Sequence, residues 1–485
     1  MKRPNIVLIM SDNQSADMPG CSGIDELHTP HLDQLAGQGV RFSNAYCTNA
    51  MCSPCRASVL TGLMPSQHGV HNWLDDRLMD QWPENWSAIA GFENLPMLLK
   101  QAGYTTALIG KFHLGVPFEP QLGFDHWVTF PHGHTTHFQG NEVIDQGERY
   151  RVPGHSVEFF TDKTVAFLEE QADRDEPFFA FVPYNGPYGH WPSIKGQAQT
   201  QFDHLYDTAD LHSIPREGVS PDVITRFGLR VEEGGVREQF KGPLLLPNNL
   251  EALRNYFAQV SLIDDGVGRI MATLERLDLD QETIVIFTSD HGFSLGHNGV
   301  WGHGAAAFPS TGHRASYHIP LIAGGAGIAQ GEVYEGLVSQ IDLFPTIATL
   351  AGVEAAPSLP SAARDLTPAL KGAGLDEVEA VFYEQEETRV IRTKRWVYAQ
   401  RFAGAPSFPL SDTLYCVDED PEERVNLIDV AEYAEVLASL RTRLSAHFDR
   451  YTAPEFDLWR GGTAVSNVSY DKLWKNAWGA DWAVR

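Results

Sequence analysis

The chain has 485 residues, 43% hydrophobic and 20% charged, the balance of a soluble globular protein long enough for one large domain or two. Its 63 acidic residues against 36 lysines and arginines leave a net charge of −27, which excludes the basic footprint of a nucleic-acid or anionic-membrane partner and disfavours a highly sulfated polymer as substrate. No apolar run reaches the length of a membrane span, the start of the chain does not read as a signal peptide, and five cysteines are too few for a disulfide scaffold, so a cytoplasmic location is expected.

In chain order, residues 6–10 are continuously apolar, as in a strand buried on both faces. They end at Ser11-Asp12-Asn13-Gln14, at the carboxyl end of the strand, where open α/β sheets bind ligands. A short helix is predicted from near Pro30 to Gly39, then a strand over 40–45. Residues 95–102 read as a helix closed by Gly103, and 105–109 as a strand leading into Gly110-Lys111-Phe112-His113. Residues 178–182 form a third buried strand, followed by a loop that carries His190. Residues 193–248 lack clean periodicity and are expected to be an insertion over the sheet. From Leu250, apolar positions recur at three and four through Leu274, the pattern of an amphipathic helix. Residues 284–288 are another buried strand, ending in Ser289-Asp290-His291-Gly292. The alternation predicts an α/β/α sandwich around a large, mostly parallel central sheet.

The loosely patterned residues 355–363 lead to a smaller unit, giving a catalytic part over 1–375 and a C-terminal part over 376–485. There a hairpin is predicted from 390–393 and 396–399, with a strand over 414–417 and a last helix directly after residues 418–427. The tail carries Trp459, Trp474, Trp478 and Trp482. They are expected to pack on the chain's own body or on a second copy, which leaves a homo-oligomer open.

After the strand over 40–45, residues 52–62 start Cys52-Ser53-Pro54-Cys55-Arg56 and end at Gly62. Pro54 suits a first helical turn and Gly62 a helix end. Cys52 then stands at a helix N-terminus, where N–H groups favour negative charge, with Arg56 one turn on along the same face. Cys52 and Cys55 alone also fit a redox dithiol or a binding protein. Asp12 and Asp290 both follow buried strands. If those strands are parallel neighbours, both carboxylates reach one end of the sheet beside Cys52, and Asn13 and His291 follow with an amide oxygen and an imidazole. Such donors suit a divalent cation, Ca²⁺ first, with Mn²⁺ or Zn²⁺ admitted by the histidine.

Residues 52–62 closely resemble the signature of the type I sulfatases, within the alkaline phosphatase superfamily. The similarity runs from Pro4 to about Leu427 through Gly110-Lys111-Phe112-His113, Thr288-Ser289-Asp290-His291-Gly292 and Asn426-Leu427. It implies an α/β/α sandwich with a short C-terminal antiparallel sheet and helix. In that family the cysteine is oxidised by a maturation enzyme to formylglycine, whose hydrate attacks the sulfur of a sulfate ester. Carried over by position, Asp12, Asn13, Asp290 and His291 would bind the metal together with the modified Cys52. Arg56 would hold the aldehyde hydrate, and Lys111, His113 and His190 would contact sulfate, His190 as acid and His113 as base. His303 stands where a lysine is common, Asn13 where a second aspartate is common, and His190 lies two residues beyond the usual Pro-His pairing. The resemblance implies hydrolysis of a small aryl or alkyl sulfate or a sulfated sugar to alcohol and sulfate. A phosphonate monoester or phosphodiester hydrolase on the same scaffold is the alternative.

Overall fold

The computed structural model describes residues 3–133, 135, 137–189, 199–232, 249–405, 407 and 410–484. Layering begins in β1 (Asn5–Ser11), where Ile6, Leu8 and Met10 enter one hydrophobic core and Val7 and Ile9 another. Successive side chains of a strand point to opposite faces, so an unbroken apolar strand requires cover on both. The central sheet continues with β2 (Gly39–Tyr46), β3 (Thr105–Ile109), β4 (His126–Thr129), β5 (Glu142–Asp145), β6 (Glu148–Arg151), β7 (Phe178–Pro183) and β8 (Thr283–Ser289). A two-stranded ribbon, β9 (Ser294–Leu295) with β10 (Trp301–Gly302), stands apart, before β11 (His318–Ile319), β12 (Leu321–Gly325) and β13 (Glu332–Ser339) return to the sheet.

The middle of the sheet, β8–β1–β7–β3–β4, is parallel throughout. Antiparallel strands flank it, with β12 between β8 and β2 on one side and β5–β6 beyond β4 on the other. Pro320, with no N–H to give a ladder, separates β11 from β12.

Helices cover both faces. They are α1 (Pro30–Gly37), α2 (Cys52–Thr61), α3 (Leu95–Gln101), α4 (Ser156–Gln171), α5 (Pro221–Glu232), α6 (Leu250–Arg276) and α7 (Leu343–Leu350). Leu60, Leu99 and Ile347 of α2, α3 and α7 join the first core, while Leu35, Phe160 and Ile263 of α1, α4 and α6 join the second. Each such buried aliphatic or aromatic side chain stabilises by roughly 1.5–3 kcal/mol relative to exposure. Asn249 caps α6, accepting from the Ala252 N–H at 3.0 Å.

The C-terminal sheet is β14 (Val381–Gln385), β15 (Thr388–Arg392), β16 (Trp396–Arg401) and β17 (Thr413–Cys416), antiparallel throughout. Helix α8 (Ala434–Arg450) packs Leu440, Leu444 and Phe448 on Ile391, Tyr398 and Leu414. The predicted last helix therefore starts later than expected and is followed by another, α9 (Asp471–Trp478). The delay has a local cause. Asp420 accepts from the N–H groups of Arg424 and Val425, and Asn426 from those of Leu414 and Ile428, so side chains bind the backbone that a helix would need. The tryptophan tail folds onto its own chain, with Trp474 and Trp482 buried beside Phe402 and Leu458. Part of the aperiodic stretch before Leu250 is the helix α5, which buries Val223 and exposes Ile224. Among the described residues, no helix is long and apolar enough to cross a membrane.

Glu386 sits in the two-residue turn between β14 and β15 at φ 44°, in the left-handed region uncommon for such a residue. Its buried carboxylate accepts from Asn72 Nδ2 at 2.5 Å and the Ser469 N–H at 2.9 Å. Burial, then the neighbouring Glu387 charge, push its pKa from 4.5 up to about 8. The folded state thus favours the protonated form, and the stability this gives is complete below the ordinary glutamate range and lost as pH rises through about 8. Relative to Glu386→Gln, the wild type should lose about 1.4 kcal/mol per pH unit between roughly pH 5 and 8 and level off above. Denaturant titrations across pH measure this, and parallel curves for the two proteins would refute it.

Candidate active site

Strands β1 and β8 run parallel in a register that pairs Ser11 with Ser289. The next residue of each, Asp12 and Asp290, therefore leaves the sheet at the same end. Both are wholly buried, and Arg56 Nη2 bridges them at 3.1 and 2.9 Å. The predicted juxtaposition is thus present.

Cys52 opens α2, Pro54 lies in its first turn, and Gly62 ends it in the left-handed conformation at φ 69°. The helix start carries Cys52 Sγ to 3.6 Å from Asp12 Oδ1 and 3.5 Å from His291 Nε2. The opposite nitrogen, His291 Nδ1, donates to the Gly292 carbonyl at 2.8 Å, which turns Nε2 toward Cys52. One ligand atom from each of Asp12, Cys52, Asp290 and His291 lies within 4.8 Å of all the others. Two carboxylates, an imidazole nitrogen and the position-52 atom, all buried, fit a divalent cation. Asn13 adjoins them, donating through Nδ2 to Asp12 Oδ1 at 2.9 Å.

Lys111 Nζ donates to Asp12 Oδ2 at 2.6 Å, and Arg56 Nη1 to the Lys111 carbonyl at 2.6 Å. Burial alone would raise the Asp12 pKa, but the Lys111 and Arg56 charges outweigh it and hold the carboxyl well below its usual range. Burial acts to lower Lys111 and Arg56, but the Asp12 charge raises Lys111 and the Asp290 and Asp12 charges raise Arg56. Burial, reinforced by the Asp12 charge, pushes the Cys52 thiol far up, so the cysteine is neutral and a poor nucleophile. Cys55 Sγ instead donates to the Asn49 carbonyl at 2.7 Å, and both cysteines are free.

His303 lies beside His291, ring centroids 4.3 Å apart and planes tilted by 41°, with Nδ1 donating to the Ala50 carbonyl at 2.7 Å. His113 Nε2 donates to the Leu74 carbonyl at 3.0 Å, and its ring lies so close to Gly133 that a Cβ there would stand 1.9 Å from it. Its loop carries both His113 and Lys111, but the ring is tied to the chain after α2. His190 lies outside the described residues. Sequence reasoning missed Tyr188, whose buried ring lies 5.9 Å from Lys111 Nζ. It also missed Gln340, whose Nε2 holds the carbonyls of Ser289 and Asp290 at 3.0 and 2.8 Å.

A mostly parallel sheet between helices thus brings two acidic strand ends to face residue 52 at a helix start, on a fold shared with solved sulfatase structures. A family model described as Sulfatase matches residues 4–353, and the chain belongs to that family. It is an enzyme that hydrolyses sulfuric esters. It is similar to the N-acetylglucosamine-6-O-sulfatase of Bacteroides thetaiotaomicron, 27% identical over 89% of this chain and 84% of that protein. The choline-sulfatase of Rhizobium meliloti is 30% identical over 92% of this chain and 87% of its own. The crystal structure of the phosphonate monoester hydrolase of Agrobacterium radiobacter shares the fold, with a TM-score of 0.70 at 21% identity over 93% of this chain and 96% of that one.

Replacing Arg56 by methionine leaves Asp290 buried without its guanidinium, and the chelated protein should lose about 3–5 kcal/mol in chemical denaturation. A saturating divalent cation should restore part of that loss. Unchanged stability in chelator would show that Arg56 is not the counter-charge.

Proposed function

We propose that the enzyme cleaves a small sulfate ester, a sulfated sugar or an alkyl or aryl sulfate, at Cys52 after its oxidation to formylglycine. The observation that carries this reading is the convergence of Asp12, Asp290 and His291 on residue 52 at the start of α2. Asp12, Asn13, Asp290 and His291 would hold the cation, with Ca²⁺ the first choice. When bound, the cation and the aldehyde hydrate together supply an oxygen nucleophile at neutral pH.

The remaining work falls to the chain. Lys111 and Arg56, fixed by Asp12 and Asp290, offset charge on the equatorial sulfate oxygens. His190 gives a proton to the leaving oxygen, and His113 takes one from the hydroxyl left at position 52, so that sulfate departs. His303, beside His291, contacts sulfate. The five free cysteines suit a reducing compartment, consistent with a cytoplasmic enzyme that meets its maturation partner there.

Intact-mass analysis of protein made beside a maturation enzyme should find an aldehyde in place of the Cys52 thiol, and Cys52→Ala should abolish turnover. Lys111→Met should lower kcat by about 10²–10³-fold. A panel of sugar, choline and aryl sulfates, run beside a phenyl phosphonate monoester, identifies the substrate class. Phosphonate turnover exceeding every sulfate would reverse the assignment, and a reducible Cys52–Cys55 bridge without aldehyde would favour a dithiol.

A further inference from the structure

Helix α6 touches the site at two points one turn apart. Tyr256 Oη donates to the Asn13 carbonyl at 2.5 Å, and Gln259 Oε1 accepts from the Tyr188 N–H at 2.7 Å. Residues three apart share a helix face, and both side chains are buried. Asn13 requires such an anchor. At φ 55° it holds the left-handed conformation, which is unfavourable for a residue with a side chain unless its surroundings fix it. Its N–H donates to Asp290 Oδ1 at 3.0 Å, so its backbone is tied to one acidic strand end as well as to α6.

The side chain of Asn13 continues the chain of contacts. Its Oδ1 accepts from the Gly189 N–H at 3.3 Å, while Nδ2 donates to Asp12 Oδ1 at 2.9 Å. Gly189 is held from its other side, where its carbonyl accepts from Trp301 Nε1 at 2.8 Å, and a Cβ at Gly189 would meet the Phe293 ring at 2.5 Å. The contacts close a ring from Tyr256 to Asn13, on to Gly189, and back through Tyr188 to Gln259. The Tyr188 ring within it faces the Lys111 ammonium.

We propose that Tyr256 and Gln259 are positioning residues for the cation site, fixing through this ring the Asn13 amide and the Tyr188 ring beside Lys111, so that one rigid helix sets cation affinity and sulfate pocket together. The proposal rests on the reading of Asn13 as a cation ligand. A purely structural role for Tyr256 would change stability and leave cation affinity alone. Groups that orient ligands in this way change metal affinity by about 10–100-fold when removed.

The test is a calorimetric titration of Ca²⁺, and in parallel Mn²⁺, into the chelator-treated full-length chain. Tyr256→Phe keeps the ring packed beside Phe293 and removes only the donor. It should weaken binding about 10–100-fold, with kcat recovering at saturating cation. Gln259→Leu, which breaks the same ring at Tyr188, should weaken binding in the same direction and raise KM. Wild-type cation affinity in both variants overturns the proposal while leaving sulfate hydrolysis intact. Absence of any divalent binding by the wild type instead overturns the cation reading of Asn13, and the proposal with it.

Discussion

Two carboxylates forced together in a dry interior are the constraint on which the rest of the molecule depends. Asp12 and Asp290 meet because β1 and β8 are parallel neighbours in register, and neither has any exposure to water. Like charges so placed cannot both stay ionised without counter-charge. Arg56 and Lys111 provide it, each buried and each bonded to Asp12. Taking four charges out of water costs several kcal/mol per ion, and such clusters rarely add net stability. Here the stability comes from the two hydrophobic cores on the sheet faces, and the polar cluster specifies a geometry instead.

That geometry bears on the nucleophile. The start of α2 offers N–H groups and a favourable dipole to an anion, yet burial and the Asp12 charge keep the Cys52 thiol protonated. An unmodified cysteine is therefore badly placed for attack. The same surroundings suit an oxygen group whose charge a cation shares, which is why the carboxylates and the proposed oxidation of Cys52 belong to one chemical solution. Cys55, turned away to Asn49, has no part in it.

How much of this was readable in the sequence follows from what each element buries. The strands at 6–10 and 178–182 are continuous apolar runs, and 284–288 is one up to Thr288, because both faces are covered, and they were legible for that reason. Asp12 and Asp290 were legible as the first carboxylates beyond such runs. The strand β6 was not, since all four of its residues are exposed and leave no apolar alternation. Gln340 and Tyr256 act on residues 50 and 243 positions away, and an amphipathic helix carries tyrosines for many reasons, so no local pattern marks them. Helix α8 was misplaced because Asp420 and Asn426 divert the preceding backbone into turns, a preference that composition alone did not rank above helix.

The C-terminal sheet takes part in the same constraint, because its first strand braces the segment that delivers Cys52. The Glu384 N–H donates to the Thr48 carbonyl at 2.9 Å, and its own carbonyl accepts from Asn49 Nδ2 at 2.8 Å. Its carboxylate accepts from the Ser66 N–H at 2.7 Å, just beyond the end of α2. One residue of β14 thus grips the chain before and after the helix that carries the reactive position. The adjoining turn holds Asn72 through Glu386, and the same carboxylate holds Ser469 of the tail. The tryptophan tail packs behind that turn, with Trp459 Nε1 donating to the Glu386 carbonyl at 2.7 Å. Acidic strand ends fix the reacting centre from the sheet side, and the small sheet with its tail fixes it from the other. A nucleophile held only from one side would be free to move along its helix axis, and the separation between position 52 and the carboxylates would then vary with every motion of α2.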